Sequence, residues 1–141
     1  MTQPSSKIEE IAKECKEGDE NSCKIFFDYL DFRQKMYLHA HSALLNSPLV
    51  PIIATVLLMI LKIPLVYSIL VLSICAGYVA YSIRKYLEEC TALEWLYSII
   101  LDTPANLRSS DTITLIGAIA ITALSFIIMV IMYLLHYISL V

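Results

Sequence analysis

One uncharged stretch near the C-terminus limits most strongly what this chain can fold into. From Ile113 to Leu135 there is no Asp, Glu, Lys or Arg, and most of the 23 side chains are apolar. A helix of this length is about 34 Å long, close to the about 30 Å thickness of a bilayer's hydrocarbon core. The stretch therefore predicts a transmembrane helix.

The charged residues are concentrated at the other end of the chain. Residues 1–42 hold six of the ten basic and eight of the thirteen acidic residues, whereas residues 112–141 hold none. Separate charged and apolar blocks indicate a membrane protein, because water-soluble cores interleave the two kinds of residue along each helix or strand. The net charge of −3 is too small to favour nucleic acid as a partner.

A second apolar run, from about Ala43 to Ile83, has Lys62 as its only charged residue, and Pro64 follows closely. A single helix over residues 48–86 would be about 58 Å long and would carry apolar side chains far into water. We therefore predict a hydrophobic helical hairpin with its turn at 61–64, Lys62 at the membrane surface and Pro64 in the first turn of the second arm. The alternative is one helix kinked at the proline.

The two predicted arms differ in length. Residues 48–61 give about 21 Å and residues 64–86 give about 34 Å. Either the first arm includes residues from Ala43 onward, or the hairpin is a short wedge in one leaflet. The segment "NSPLVP" is expected to end the preceding helix, with Ser47 as the N-cap of the next helix and Pro48 at its first position.

Amphipathic helices are predicted before and after the hairpin. Ser6 and Glu9 match a capping box that opens a helix over about 8–16. A longer helix follows over about 23–45. Its predicted apolar stripe is Ile25, Tyr29, Phe32, Met36, Ala40 and Ala43. A linker helix is predicted over 86–101, with Trp95 and Tyr97 at the membrane interface.

The predicted fold class is thus all-α, with four segments along the chain. Residues 1–46 form a cytosolic or interfacial helical segment, residues 47–86 form the hairpin, residues 87–111 form an amphipathic linker, and residues 112–141 form the third transmembrane helix.

Small residues mark the faces expected to join the apolar helices. Small side chains allow helix backbones to approach closely in lipid. We predict that the small residues of the second arm pack against those of the last helix, and the alternative is that they face lipid. The residues concerned are Ser73, Ala76, Gly77 and Ala80 in the arm and Thr114, Gly117, Ala118 and Thr122 in the last helix.

The distribution of Lys and Arg predicts the topology. With three spans, the N-terminal segment and the 84–111 linker lie on one side and hold nine of the ten basic residues, while Lys62 lies on the other. The positive-inside rule then places the N-terminus in the cytoplasm and the C-terminus on the opposite side.

The candidate reactive residues do not form a recognisable site. Cys15 and Cys23 flank a loop that a disulfide would staple, but the predicted cytoplasmic location favours free thiols. His39 and His41 are two positions apart, so on a helix they point to nearly opposite faces and are not expected to bind a metal. With neither a catalytic motif nor a charge inside the spans, we expect no enzyme activity and no cofactor.

Three functions fit these features, and we favour the first over the two alternatives. The first is an accessory or scaffold subunit of a membrane complex, whose partners are the lipid bilayer and other membrane proteins. The order of parts resembles that of small three-span subunits of membrane insertases. The second is a self-assembling structural subunit such as a filament or virion coat protein, because a hydrophobic hairpin with a lone turn lysine is similar to conjugative pilins. The third is a membrane-shaping hairpin protein.

Overall fold

The computed structural model of the chain describes residues 3–104, 107 and 112–139. Within these residues all regular structure is helical, which confirms the all-α prediction. The last part of the 87–111 linker falls mostly outside the described residues. The five helices are α1 (Gln3–Lys16), α2 (Glu20–Asn46), α3 (Leu49–Ile60), α4 (Leu65–Leu101) and α5 (Thr112–Ser139).

Within the described part of the chain, three helical segments are long and apolar enough to cross a membrane. They are Glu20–Ile60, Leu65–Leu101 and Thr112–Leu135, so α2 and α3 together count as one segment. Their most apolar parts, residues 43–60, 65–83 and 112–135, form what we call the apolar layer. Many large apolar side chains point outward there, including Ile113, Val66, Ile60 and Ile74.

The junction of α2 and α3 is a bend in a nearly continuous helix. Ser47 and Pro48 both keep right-handed helical backbone angles. Ser47 is not an N-cap, and that prediction is wrong. Its hydroxyl donates to the carbonyl of Leu44 at 2.9 Å. In a regular helix this carbonyl would accept from the N–H of residue 48, and Pro48 has no N–H. The first arm therefore includes residues from Ala43 and reaches about 27 Å over residues 43–60.

The chain leaves α3 at Ile60 and enters α4 at Leu65, so residues 61–64 connect the two arms. Lys62 has a φ of +50°, and the N–H groups of Lys62 and Ile63 bond back to the carbonyls of Met59 and Leu58. This is the hydrogen-bond pattern of a Schellman motif, which more often places glycine at the left-handed position. Pro64 precedes the first helical residue of α4 and does not lie within its first turn.

Helix α4 runs through the predicted boundary at Tyr86 without a break, so the separate linker helix is wrong. Inward-facing residues recur at spacings of four and three from the apolar half into the charged half. They are Ser68, Leu72, Cys75, Val79, Ser82, Tyr86, Glu89, Leu93 and Leu96. An unbroken 3.5-residue repeat holds one helix against its neighbours over its whole length.

A tight connection joins α1 to α2. Gly18 adopts a φ of +102°, which side-chain-bearing residues rarely adopt. The turn brings the Cα atoms of Cys15 and Cys23 to 4.4 Å, and a disulfide joins the two residues. The expectation of free thiols is therefore wrong, because it rested on the compartment and took no account of this turn.

The helix starts near this connection also differ from the predictions. Helix α1 begins at Gln3, so Ser6 lies inside the helix and not at its cap. Helix α2 begins at Glu20 with Asp19 as its N-cap, and the Asp19 carboxylate accepts hydrogen bonds from the Ser22 amide at 3.2 Å and the Ser22 hydroxyl at 2.6 Å. The Ser22 hydroxyl and amide hold the pKa of Asp19 below its usual value.

The buried face of α2 is displaced from the predicted stripe. Ile25 and Phe32 are exposed, whereas Phe26 and Leu44 are buried and Tyr37 is partly buried. A shift of one position turns a helical face by about 100°. The predicted stripe is therefore only partly inward-facing: Ala40 is buried, whereas its exposed members lie on a flank beside the buried face.

Three apolar clusters follow one another along the molecule. The first joins α1, α2 and the end of α4 through Ala12, Phe26 and Leu96. The second joins α2, α4 and α5 around Leu44, Val79, Tyr86 and Ala118. The third joins Leu58, Leu72 and Met129 near the turn. We call α1, residues 20–42 and residues 84–101 the outer bundle, because these charged parts extend beyond the apolar layer.

Candidate interaction site at the end of the apolar layer

A buried ionic cluster lies where the outer bundle meets the apolar layer. The side chain of Glu89 on α4 is 4% exposed and lies 3.1 Å from Arg33 Nη2 and 3.2 Å from Lys85 Nζ. The Arg33 approach is an ion pair without hydrogen-bond geometry. Among the described residues, Glu89 Oε2 and Arg33 Nε are left without a hydrogen-bond partner. A buried carboxylate between two cations joins α2 to α4 through charge.

The sequence contained a signal for Arg33 that was missed. Phe26, Arg33, Tyr37 and Leu44 recur at spacings of seven, four and seven, which places them on one helical face. An arginine on an otherwise inward-facing stripe requires a buried acidic partner. Glu89 occupies the corresponding position in the repeat of α4.

An aromatic cluster covers the ionic cluster on the side of the apolar layer. The ring of His41 stacks on Tyr37 with a centroid distance of 6.0 Å, and Tyr86 lies 5.8 Å from Tyr37 and 5.9 Å from His41. His39 is exposed on another side of α2. The structure thus separates the two histidines, and no group of three potential ligands is found in the described part of the chain.

The opposite end of the apolar layer is held by a polar contact at the hairpin turn. The Tyr133 hydroxyl donates to the carbonyl of Ile63, and the Ser68 hydroxyl lies 2.9 Å from that of Tyr133. Inside the layer, Thr55 and Ser73 donate to carbonyls of their own helices. These bonds give polar groups of the apolar layer a partner within the protein.

The small-residue faces meet only in part. On α5, Ala118 is buried against the second cluster, and Thr114, Gly117 and Thr122 are partly buried. On α4, Ser73, Gly77 and Ala80 are exposed, and Ala76 is partly buried. A Cβ placed on Gly77 would meet nothing within 4 Å. The predicted packing of these two faces is wrong on the α4 side, because α4 turns Leu72, Cys75 and Val79 inward instead.

The interfacial aromatic residues lie in the outer bundle. Trp95 packs against the first cluster, and Tyr97 is partly buried. Trp95 is eleven residues beyond Arg84, or about 16 Å along the helix. Trp95 therefore contributes to the core of the outer bundle, far from the end of the apolar layer.

A groove of about 980 Å³ runs along the outward side of α4. It crosses the end of the apolar layer, and Ile119 of α5 forms one wall. The Arg84 Nε and Glu88 Oε1 atoms, 2.9 Å apart, form an exposed ion pair in this groove. The lining residues are Ala80, Ile83, Arg84, Leu87, Glu88, Thr91, Ala92, Trp95 and Ile119.

No protein-family model, curated protein or solved structure matches this chain. The function is therefore argued from the structure itself.

Proposed function

We propose that this protein is a non-enzymatic accessory or scaffold subunit of a membrane-embedded complex. One observation carries the proposal: an apolar layer of membrane thickness is continuous with a charged helical bundle. From Leu65 to Arg84 the axis of α4 covers about 28 Å, which matches a bilayer's hydrocarbon core. Lys62 marks one end of the layer, and Arg84 and Lys85 mark the other.

The outward side chains of the layer support insertion into lipid. Large apolar residues are exposed on α3, α4 and α5, with Ile113 at 83% and Val66 at 74%. A belt of this kind far exceeds the apolar patches that soluble monomers tolerate in water. Insertion into lipid removes the free-energy cost of exposing these apolar side chains to water.

A scaffold role fits the chemistry of the apolar helices. Between Ala43 and Ile83 the only charge is Lys62 at the turn, and residues 112–141 contain none. Transport and intramembrane catalysis generally use ionisable groups inside the layer. Most of the charged groups of this chain lie in the outer bundle, and those on its surface are available for a protein partner.

The proposed orientation places the outer bundle in the cytoplasm and the turn at Lys62 on the opposite side. Nine of the ten basic residues support it. The Cys15–Cys23 disulfide is the observation that bears against it, since the cytoplasm of most cells keeps thiols reduced. Labelling of a Lys62→Cys variant with a membrane-impermeant maleimide decides between the two orientations.

The same variant tests the membrane-shaping alternative. A first arm of about 27 Å over residues 43–60 favours a hairpin that crosses the bilayer. Residue 62 and the outer bundle should then be labelled from opposite sides. Labelling of both from one side would instead support a wedge in one leaflet.

The test of the subunit role is purification from native membranes in mild detergent, with mass spectrometry of the proteins that co-purify. A matched control is the Glu89→Gln variant, which weakens the α2–α4 junction but leaves the apolar belt intact. We expect a defined membrane protein to co-purify with the native chain and less of it with the variant. A native chain that purifies without any other protein would overturn the subunit proposal.

A further inference from the structure

The disulfide between Cys15 and Cys23 is unusual for the proposed orientation of the protein. Nine of the ten basic residues support a cytoplasmic outer bundle, and cytosolic disulfides are rare and usually transient, catalytic or redox-sensing. Both cysteines are partly exposed, and residues 16–21 beside them are all exposed. The bridge is therefore accessible to small thiols while the bundle stays folded.

We propose that this bridge is a redox switch, which holds α1 over the first cluster when it is closed and releases α1 when it is reduced. The reductant is a thiol of the glutathione class. One glutathione thiolate attacks the bridge and forms a mixed disulfide, and a second glutathione displaces the cysteine. Two electrons and two protons pass to Cys15 and Cys23, the S–S bond between them breaks, and a new S–S bond joins the two glutathiones. The inference goes beyond the subunit role and rests on the proposed cytoplasmic orientation.

Helix α1 packs through one narrow stripe, and Cys15 ends that stripe. Among the side chains described for residues 6–16, those that are not exposed are Ile8, Ile11, Ala12 and Cys15, at spacings of three, one and three. A helix of 14 residues is marginal by itself in water, so α1 depends on its attachments to the rest of the bundle. The bridge fixes the end of the stripe to α2 covalently.

The polar contacts of α1 are too weak to replace the bridge. Lys16 Nζ lies 2.8 Å from Asp102 Oδ1 at the end of α4, but the two side chains are 45% and 81% exposed, and such pairs contribute little. The Ser22 hydroxyl lies 2.7 Å from Glu14 Oε2 and 2.6 Å from Asp19 Oδ2. Its one proton is therefore shared between α1 and the N-cap of α2.

Release of α1 changes the surface of the outer bundle. Ile8, Ile11 and Ala12 are the members of the first cluster that α1 supplies, and they cover Phe26 of α2 and Leu96 of α4. Phe26 and Leu96 are 2% and 1% exposed while α1 is in place. Reduction therefore opens an apolar surface between α2 and the end of α4, and oxidation closes it again.

Equilibration with glutathione tests whether the bridge responds in the range of a living cell. The full chain in nanodiscs, in a Cys75→Ala/Cys90→Ala background, is incubated with mixtures of reduced and oxidised glutathione that span the ratios of a reducing cytoplasm. Free thiols are then trapped with a polyethylene glycol maleimide and counted. We expect the bridge to change from mostly closed to mostly open within this range. A bridge that stays closed at the most reducing ratio, or one that never closes, would overturn the proposal.

Trp95 tests whether reduction releases α1, because it is the only tryptophan of the chain and packs against the first cluster. On reduction we expect acrylamide to quench its fluorescence at least twofold more strongly and the amides of residues 8–14 to exchange at least tenfold faster. The matched control Lys16→Gln removes the ion pair to Asp102 and keeps the bridge, so it should change exchange less than twofold. Unchanged quenching after complete reduction would overturn the proposal.

The failure of this inference and the failure of the subunit role give different results. Labelling of Lys62→Cys that placed the outer bundle outside the cytoplasm would overturn the switch and leave the subunit role standing. A native chain that purifies without other proteins would overturn the subunit role and leave the switch standing. Unchanged exchange of residues 65–83 in each variant shows that the membrane helices are folded.

Discussion

The hydroxyl of Tyr133 on α5 donates a hydrogen bond to the backbone carbonyl of Ile63, in the turn between α3 and α4. Helix α5 is thereby attached to the hairpin at the end farthest from the outer bundle. The same carbonyl also accepts a longer hydrogen bond, at 3.4 Å, from the hydroxyl of Ser68. The contact gives both polar groups a partner within the protein.

Removal of this contact should loosen α5 from the hairpin. The Tyr133→Phe variant keeps the ring and loses the hydroxyl, so we expect a loss of about 1 kcal/mol in the free energy of unfolding in detergent. The matched control is Tyr67→Phe, at an exposed tyrosine near the same turn. Equal changes in the two variants would show that the hydroxyl of Tyr133 contributes nothing.

Neutralisation of Glu89 should weaken the junction of α2 and α4. In Glu89→Gln, the cations of Arg33 and Lys85 face each other without the carboxylate. We expect a loss of about 2 kcal/mol, below the about 3–5 kcal/mol of fully buried pairs, because both cations keep contact with water. Asp31→Asn removes an exposed carboxylate paired with Lys35 on α2 and should change stability by less than about 0.5 kcal/mol.

A second Glu89 variant separates charge from packing. Replacement of both Glu89 and Arg33 by methionine removes the buried charge pair and keeps the volume similar. This double variant should be more stable than Glu89→Gln, since no uncompensated cation then remains at the partly buried position of Arg33. If the double variant unfolds more readily, shape and not charge dominates at this junction.

Loss of the disulfide should destabilise the connection of α1 and α2. The bridge closes a loop with a sequence separation of 8 residues, for which chain entropy gives about 2.5 kcal/mol. In Cys15→Ser/Cys23→Ser, amides of α1 should exchange faster while those of residues 65–83 stay unchanged. Reductant should reproduce this effect in the native chain and have no effect on the variant. Alkylation of Cys15 or Cys23 in the native chain without reductant would contradict the bridge.

Acid should weaken the start of α2. Hydrogen bonds from the side chain and amide of Ser22 lower the pKa of Asp19. The cap is therefore fully effective above the unfolded value of about 3.9 and is lost as the pH falls through the lower folded value. Hydrogen exchange at the Ser22 amide, corrected for its intrinsic rate, should speed up at low pH. Asp19→Asn should keep the cap without this pH dependence.

The hairpin turn and the all-α class could be predicted, because the length of the apolar run limits how its helices can be arranged. A single helix over residues 43–83 would be longer than a bilayer is thick. A turn beside the single charge at Lys62 divides the run into two helices that match the bilayer. The continuity of α4 was also present in the spacing of residues 68–96. The charges from Arg84 onward suggest the end of a helix, whereas α4 continues through them to Leu101.

The buried faces of the helices and the disulfide could not be predicted from the sequence in the same way. In the apolar layer nearly every position of α4 is apolar, so composition does not distinguish the face of Leu72 and Val79 from that of Ser73 and Gly77. The repeat that continues into the charged half, through Tyr86 and Glu89, fixes the rotation. The bridge between Cys15 and Cys23 depends on the local turn at Gly18.

The 37 residues of α4 form one rod of about 55 Å with no proline inside it. About half of the rod lies in the apolar layer and half in the outer bundle. A tilt imposed on either half is passed to the other as a displacement, because no hinge absorbs it. In the proposed membrane-inserted arrangement, a neighbour that pushes on the apolar half of α4 is therefore expected to move Trp95 and the helices packed around it.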